Sequence, residues 1–394
     1  MANSPPEVFS ARKSNGGVRD TVKQQSGAGP RSGFFAWRNR LVASRRFQSW
    51  ASRLFLTRGV ARREGEALFD LVSGFAQSQV LFALVELRVL HLLLEQAETA
   101  DAMAARLSLP PDRARVLLHA GVALGLLSVT AGRYRTAQRG AALLGVPGLE
   151  AMISHHDVLY RDLADPVAFF RGETETELAR FWPYVFGAGG AVEPAVTARY
   201  SDLMADSQGL VAEETLRTVS LAKVRHLMDV GGGSGAFLTH VAEKMPKIGL
   251  SLFDLPVVAP TARARFVTAG IAERVTIIGG SFRDDALPCG ADAISLIRVL
   301  YDHSDATVRA LLSNVYRALP DGGRLIVSEP MSGGAVPNRP GDVYFALYCM
   351  AMRTGRARSA DEIATLLGQA GFSQVRVRPT SRPFVTSIVE CVRD

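Results

Sequence analysis

The sequence predicts an α/β fold: a mostly parallel sheet with helices on both faces, preceded by a smaller helical domain that closes in a β-hairpin. Three observations carry this. From Lys223 onward strand-like and helix-like segments alternate, the pattern of parallel strands joined by crossover helices. From Gly65 to about Gly148 the order is helix, turn, helix, hairpin, which is that of a winged helix. At the C-terminus QVRVRP and VTSIVECVR are joined by a loop too short for a crossover helix, so they form a hairpin and one of them runs antiparallel to the rest.

The zones follow in order. Residues 1–31 are rich in Ser, Gly, Pro and Gln and are expected to be a disordered basic tail. Residues 32–64 mix Phe34, Phe35, Trp37, Trp50 and Phe55 with many arginines. Two readings stand: a basic amphipathic helix on an anionic membrane surface, or a helix packed on its own domain with a solvated basic face. In residues 65–150 a broadly apolar helix comes first. Thr99 then caps a second helix, Leu109-Pro110-Pro111 breaks it, a third follows, and the hairpin turns at Ala131-Gly132. The third helix, Asp112 to Leu124, has only Arg113 and Arg115 as cations and suits a protein interface better than DNA. Residues 151–222 form a connecting helical region with two aromatic clusters, HHDVLYRDL and FWPYVFGAGG. Residues 223–394 carry the sheet.

Charge narrows the function. The formal net charge is +7, but Met1 to Arg63 holds 13 Lys and Arg against Glu7 and Asp20, a net of +11, which leaves −4 for the remainder. A mildly acidic body argues against nucleic-acid binding, since duplex binding needs a basic face. Cys289, Cys349 and Cys391 are widely spaced and form neither a disulfide framework nor a metal-ligand pattern, so a reducing cytoplasm is expected and no metal. No unbroken apolar run reaches the roughly 18–20 residues of a membrane span, and the N-terminus lacks a signal-peptide core.

The chemistry concentrates at the ends of strands, where ligands bind in open α/β sheets. DVGGGSG, Asp229 to Gly235, lies between a strand and a helix. Its glycines permit a tight turn and close backbone approach, and the helix start behind them offers free N–H groups. Gly231, Gly233 and Ala236 fit a dinucleotide fingerprint; Gly231, Gly233 and Gly235 fit an S-adenosylmethionine site. Asp254, ending the next strand, would hold ribose hydroxyls in either case.

Together with FDLP, GGSF, RVLYDHSD and LIVSEP, this loop resembles the successive motifs of the S-adenosylmethionine-dependent O-methyltransferase family that includes the plant caffeate and acetylserotonin enzymes, over about Ala67 to Asp394. The resemblance implies a Rossmann-like class I methyltransferase domain with an antiparallel last strand, and a winged-helix-like dimerisation domain that makes a homodimer. It implies S-adenosylmethionine as methyl donor and S-adenosylhomocysteine as product. Asp229 and Gly231 to Gly235 would pack on the methionine part, Asp254 on the ribose, and Ser281 and Phe282 beside the adenine. The family usually has Asp where Ser281 stands. Arg298, in the strand segment before LYDHSD, either reaches the cofactor or pairs with an acid.

Two departures concern catalysis. Tyr301 stands where the family normally has the His that removes a phenolic proton, with His303 two residues on, and Ala357 stands where the family has one of the Glu residues supporting that His; Glu329 matches the other. A phenol near pKa 10 is worth deprotonating with an imidazole. An aliphatic alcohol is far less acidic, so its proton leaves late and orientation supplies most of the acceleration, roughly 7–11 kcal/mol. Tyr301 would then position the hydroxyl and His303 would take the proton if its ring turns inward. HHDVLYRDLADPVAFFRGE, FWPYVFGAGG and RVLYDHSD are similar to the bacterial carotenoid O-methyltransferases, which act on the tertiary C1 hydroxyl of acyclic carotenoids of the demethylspheroidene and hydroxyneurosporene type. That likeness implies a hydrophobic carotenoid partner and a cytoplasmic protein, peripheral on the inner, photosynthetic membrane. His155, His156, Tyr160, Tyr344 and Tyr348 either face the substrate or, for the histidines, form a buried structural pair. Two other functions remain: C-methylation of a bacteriochlorophyll-type macrocycle, and a cofactor-sensing winged-helix regulator.

Overall fold

The computed structural model describes residues 30–55, 57–181 and 207–394, in two compact units that meet in sequence at Phe75 and Ala76. The predicted tail up to residue 29 and the FWPYVFGAGG cluster from Trp182 onward lie outside the described residues.

The first unit is helical: α1 (Pro30–Val42), α2 (Arg45–Arg53) and the start of α3 (Arg58–Glu86). Ser44 caps α2 by accepting the Phe47 N–H at 3.3 Å. The zone boundary placed at 64/65 from composition falls inside α3, which runs on into the second unit. This helix also corrects the sequence reading on membrane spans: by length and composition it is apolar enough to cross one, and only 11% of its apolar window is buried. No unbroken run flagged it because Asp70, Ser73, Gly74 and Gln77 interrupt the apolar residues without lowering their average far. Leu68, Phe69, Leu71, Val72 and Phe75 are all exposed, a face that needs a cover.

The second unit opens with α4 (Val89–Glu95) and β1 (Glu98–Thr99), then α5 (Ala100–Leu107), α6 (Pro111–Ala123), β2 (Leu127–Thr130), β3 (Arg133–Thr136) and α7 (Gln138–Leu144). Thr99 caps α5, accepting the Ala102 N–H at 3.2 Å. Ala131 and Gly132 both have positive φ, 50° and 72°, the backbone of a two-residue hairpin turn. The three short strands pair in the order β1-β3-β2 around a core of Leu84, Leu90, Leu93, Met103 and Leu118. Arg115 on α6 pairs with Asp101, so one of the two cations on that helix is already engaged. Helices α8 (Leu149–Asp162), α9 (Pro166–Phe170), α10 (Leu178–Phe181) and α11 (207–218) connect to the sheet.

The sheet has seven strands. They are β4 (His226–Val230), β5 (Gly249–Asp254), β6 (Val275–Gly279), β7 (Ala293–Ile297), β8 (Arg324–Glu329), β9 (Phe372–Arg378) and β10 (Ser387–Arg393). Helices α12 (Ala236–Lys244), α13 (Ala259–Thr268), α14 (Asp305–Ala318), α15 (Ala346–Met352) and α16 (Ala360–Gln369) lie between them in sequence. Strand order is β6-β5-β4-β7-β8-β10-β9. β10 runs antiparallel to both β8 and β9, so the reversed strand is tucked inside β9, which forms the edge. Every residue of β7 is buried, as a central parallel strand covered on both faces requires. The chain runs outward from β4 to β6 and then returns to place β7 on the other side of β4. That reversal opens a crevice at the carboxyl ends of β4 and β7.

Candidate active site

Two turns leave the sheet at that crevice. The first follows β4. Gly231, Gly233 and Gly235 have φ of 70°, 57° and 74°, left-handed values that a side chain tolerates poorly. A Cβ on Gly235 would lie 2.3 Å from the Phe266 ring and one on Gly232 2.2 Å from Asp229 Oδ2, whereas at Gly233 it would meet nothing within 4 Å. The turn is therefore packed on its inner side and open at Gly233. Asp254 Oδ2 accepts the Gly233 N–H and Oδ1 the Leu255 N–H, both at 2.7 Å. Asp229 is fully buried; the Ser295 hydroxyl donates to Oδ1 at 2.6 Å and Oδ2 has no partner. Burial pushes Asp229 up to about 7, with Asp254 adding to the rise, and burial raises Asp254 as well. Two carboxyls held above their ordinary range around an open glycine suit a ligand with a positive charge and vicinal hydroxyls. That fits the sulfonium and ribose of S-adenosylmethionine. Phe282 packs beside this turn, 3.7 Å from where a Gly231 Cβ would be. Ser281 is spent locally: its hydroxyl donates to Asp284 and its N–H to Asp285.

The second turn follows β7, and here the sequence reading needs correcting. β7 ends at Ile297; Arg298 is not in the strand but in a left-handed kink with φ 59°, and Leu300–Asp302 is a single 3-10 turn. The kink is held by the Arg298 N–H donating to Ser328 O at 2.8 Å. Glu329 Oε1 accepts the N–H groups of both Val299 and Leu300. Glu329 thus grips backbone and orients no imidazole. Burial lifts it to about 7, with those N–H bonds opposing the rise. The Arg298 guanidinium donates to Ser207 on α11 at 2.8 Å. Its charge also lowers the pKa of Tyr301, Asp302 and Tyr344 against the larger effect of burial. So Arg298 faces the substrate-side acids and phenols.

Tyr301 and His303 part company. Tyr301 is 2% exposed and packs with Leu159, Tyr348, Cys349 and Met352. The His303 ring lies edge-on to Phe282, with centroids 5.2 Å apart, and its Nδ1 accepts from Arg283 at 3.1 Å. Burial, then the charges of Arg283 and Arg358, lower His303 to about 4. The ring sits on the Phe282 side, away from the Tyr301 cluster. Asp302, between them, has Oδ1 buried without a partner, and burial holds its carboxyl well above the usual carboxylate range.

The five residues expected to meet the substrate come together. His155 Nε2 and Tyr348 Oη are 3.1 Å apart, and His156 Nε2 and Tyr344 Oη 2.8 Å. Tyr160 meets His156 edge-on at 6.2 Å, and Tyr344, Phe345 and Tyr301 continue the chain of rings at 5.0 and 6.5 Å. Burial keeps His155 neutral, with a pKa of about 4, and lifts Tyr344 to about 12. Both histidines are half-buried, and each meets a tyrosine hydroxyl. Tyr344 and Phe345 ride on a wide π-helical turn, Pro340–Phe345, a distortion common at functional sites.

Three residues escaped the sequence reading. Arg358 is 1% exposed; it donates to Leu300 O at 2.7 Å, to His303 O at 2.8 Å and to Asp305 at 2.6 Å. Gly355, with φ 65°, touches the same turn so closely that a Cβ would lie 2.0 Å from Tyr301 O. Asp302 is the third. Burial of an arginine between Ala357 and Ser359 has no local sequence signal; the only mark on this stretch is that Ala357 stands where the family has Glu.

Against this geometry stand the likenesses to known proteins. The pattern of the O-methyltransferase domain matches residues 160–373, and that of the O-methyltransferase dimerisation domain matches residues 69–145. The chain is 62% identical to a demethylspheroidene O-methyltransferase of Cereibacter sphaeroides, covering 90% of this chain and 94% of that one. It is 51% identical to a demethylspheroidene O-methyltransferase of Rhodobacter capsulatus, covering 97% and 96%. Among solved structures, the S-adenosylmethionine-dependent methyltransferase SibL in its apo form aligns with a TM-score of 0.69 at 26% identity, covering 83% of this chain and 98% of that one.

Proposed function

The chain belongs to the S-adenosylmethionine-dependent O-methyltransferase family, and from that premise we propose that its acceptor is the tertiary C1 hydroxyl of an acyclic carotenoid of the demethylspheroidene or hydroxyneurosporene type. The observation that carries the reading is the 62% identity, over nine tenths of the chain, to an enzyme named for that reaction. The site's chemistry agrees. Among the described residues, each imidazole near the reacting edge is engaged: His155 and His156 with tyrosine hydroxyls, His303 with Arg283. None stands ready as the strong early base a phenol would call for.

S-adenosylmethionine supplies an electrophilic methyl on a sulfonium. The residues of this chain bind, aim and exclude water. The turn after β4 and Asp254 hold the donor. The ring chain from Tyr160 to Tyr301 gives a dry, polarisable wall for a polyene. Tyr301 orients the alcohol oxygen, and the Arg298 charge eases the ionisation of Asp302 against the larger effect of burial. The proton is released as the C–O bond forms, and Asp302, with one oxygen unpartnered, is the carboxylate beside Tyr301 able to receive it. Glu329 and Arg358 act through the backbone that carries Tyr301 and Asp302. The same reading makes the protein a homodimer, its α3 face covered by a second subunit through the dimerisation domain. It also sets the enzyme on the cytoplasmic side of the photosynthetic membrane.

The test is direct. Protein, S-adenosylmethionine and either an acyclic 1-hydroxycarotenoid or a bacteriochlorophyll precursor are incubated, and the products are weighed by mass spectrometry. A methyl on the carotenoid C1 oxygen is expected; a methyl on a macrocycle carbon alone would replace this function by the C-methyl one.

A further inference from the structure

We propose that the first compact unit is a docking surface for an anionic lipid bilayer, its arginines meeting phosphate headgroups and its aromatic rings entering the acyl boundary. The sequence allowed either a membrane face or a face packed on its own domain. The side chains now show large apolar exposure. Phe34 and Trp37 are each 59% exposed, Trp50 53% and Phe55 74%. Residues 30–63 contain nine arginines and not one Asp or Glu. Among the described residues, Arg62 has the only carboxylate partner in this stretch, Glu66 at 2.7 Å. Arg38 lies 5.0 Å over the Phe35 ring and Arg58 4.9 Å over that of Phe55, so cationic heads stand directly on apolar stems.

Charge decides the occupant. The same stretch of a second copy laid on residues 30–63 would bring nine arginines against nine, and repel. A solvated face would not expose five aromatic residues in 34. An anionic bilayer takes both features at once: phosphates for the arginines, and a boundary layer in which Trp and Phe are favoured. The placement rests on the carotenoid reading only for its purpose, because a substrate dissolved in lipid has to be reached from the membrane surface. The apolar stripe of α3 from Leu68 to Phe75 is left to the subunit partner.

The full-length protein is mixed with vesicles of phosphatidylcholine alone or with one third phosphatidylglycerol, without any carotenoid. Sedimentation and tryptophan emission are read, since Trp37 and Trp50 are two of the three tryptophans. Binding is expected with phosphatidylglycerol and not without, with a blue-shifted emission that reverses in high salt. Replacing Arg38, Arg40, Arg45 and Arg46 by Gln should weaken it about a hundredfold or more. Trp37→Ser with Trp50→Ser should abolish the blue shift. Both variants should still bind S-adenosylhomocysteine by calorimetry, which reports the fold of the second unit. Equal binding to both vesicles, no binding to either, or an arginine variant that binds as the parent does would overturn the proposal. So would a preference for RNA competitor over the anionic vesicles. Because no substrate is present, failure here leaves the carotenoid reading standing, and failure of that reading leaves this result standing.

Discussion

The turns after β4 and β7 leave neighbouring strands of one sheet, yet they are built by opposite means. The first is local. Its shape comes from glycines within seven consecutive residues, each with left-handed backbone or a neighbour that forbids a Cβ. The second is assembled from afar. Glu329 holds its amides, Arg358 its carbonyls, and Gly355 is pressed against it from about fifty residues downstream. A binding turn for a donor shared by many enzymes can be a portable motif. A turn that sets one acceptor oxygen has to be braced by the body of its own protein.

Substitutions in the two turns test this difference. The largest effect is expected at Arg358→Leu. It takes the Arg358 donors from Leu300 O, which keeps only the His303 N–H, and from His303 O, and it leaves Asp305 without its main partner; it should cost about 4 kcal/mol by urea titration. A loss under about 1 kcal/mol would mean that the second turn stands by itself. Next comes Asp302→Asn, which keeps shape and removes a proton acceptor; kcat should fall about a hundredfold or more while S-adenosylhomocysteine binding holds. The pH behaviour follows from its raised native pKa. The folded carboxyl binds its proton more tightly than the unfolded one, so this group's contribution to stability is full below the unfolded value near 3.9 and is lost as pH rises through the folded pKa. The activity of the parent should rise over that same upper range as the carboxyl ionises, and the Asn variant should lose both trends.

A milder effect is expected in the local turn. Gly235→Ala meets a positive φ and the Phe266 ring; about 2 kcal/mol of stability should go, with weaker S-adenosylhomocysteine binding measured by calorimetry. The smallest effect is expected at His303→Asn: kcat within about threefold, with KM for S-adenosylmethionine raised through Phe282. Because burial depresses the His303 pKa from 6.5 to about 4, its stabilising contribution is present above 6.5 and is lost as pH falls from there. The Asn variant should therefore gain on the parent near pH 5. A hundredfold loss of kcat instead would return His303 to the role of proton acceptor.

What the sequence disclosed follows the same division. The alternation of β4 to β10, the Thr99 cap and the Ala131-Gly132 hairpin were legible because each depends on residues within a few positions of one another. So was Asp254, whose place at a strand end follows from the strand itself. Arg298 was misplaced because an apolar run continues past Ile297 through Val299 and Leu300, hiding a kink fixed by Ser328 on another strand. The separation of Tyr301 from His303 was hidden likewise, since two residues apart in a 3-10 turn says nothing of which core each ring joins. Arg358 had to be seen, because a buried guanidinium is defined by three carbonyl and carboxylate partners some fifty residues away.

The most direct measurement is a crystal structure with S-adenosylhomocysteine and a 1-hydroxycarotenoid bound. The sulfur is expected over the Gly231–Gly235 turn, with the carotenoid C1 oxygen within hydrogen-bond reach of Tyr301 or Asp302 and the polyene along Tyr344 and Tyr348. An oxygen seated against His303, or a donor bound elsewhere than at that turn, would contradict the account.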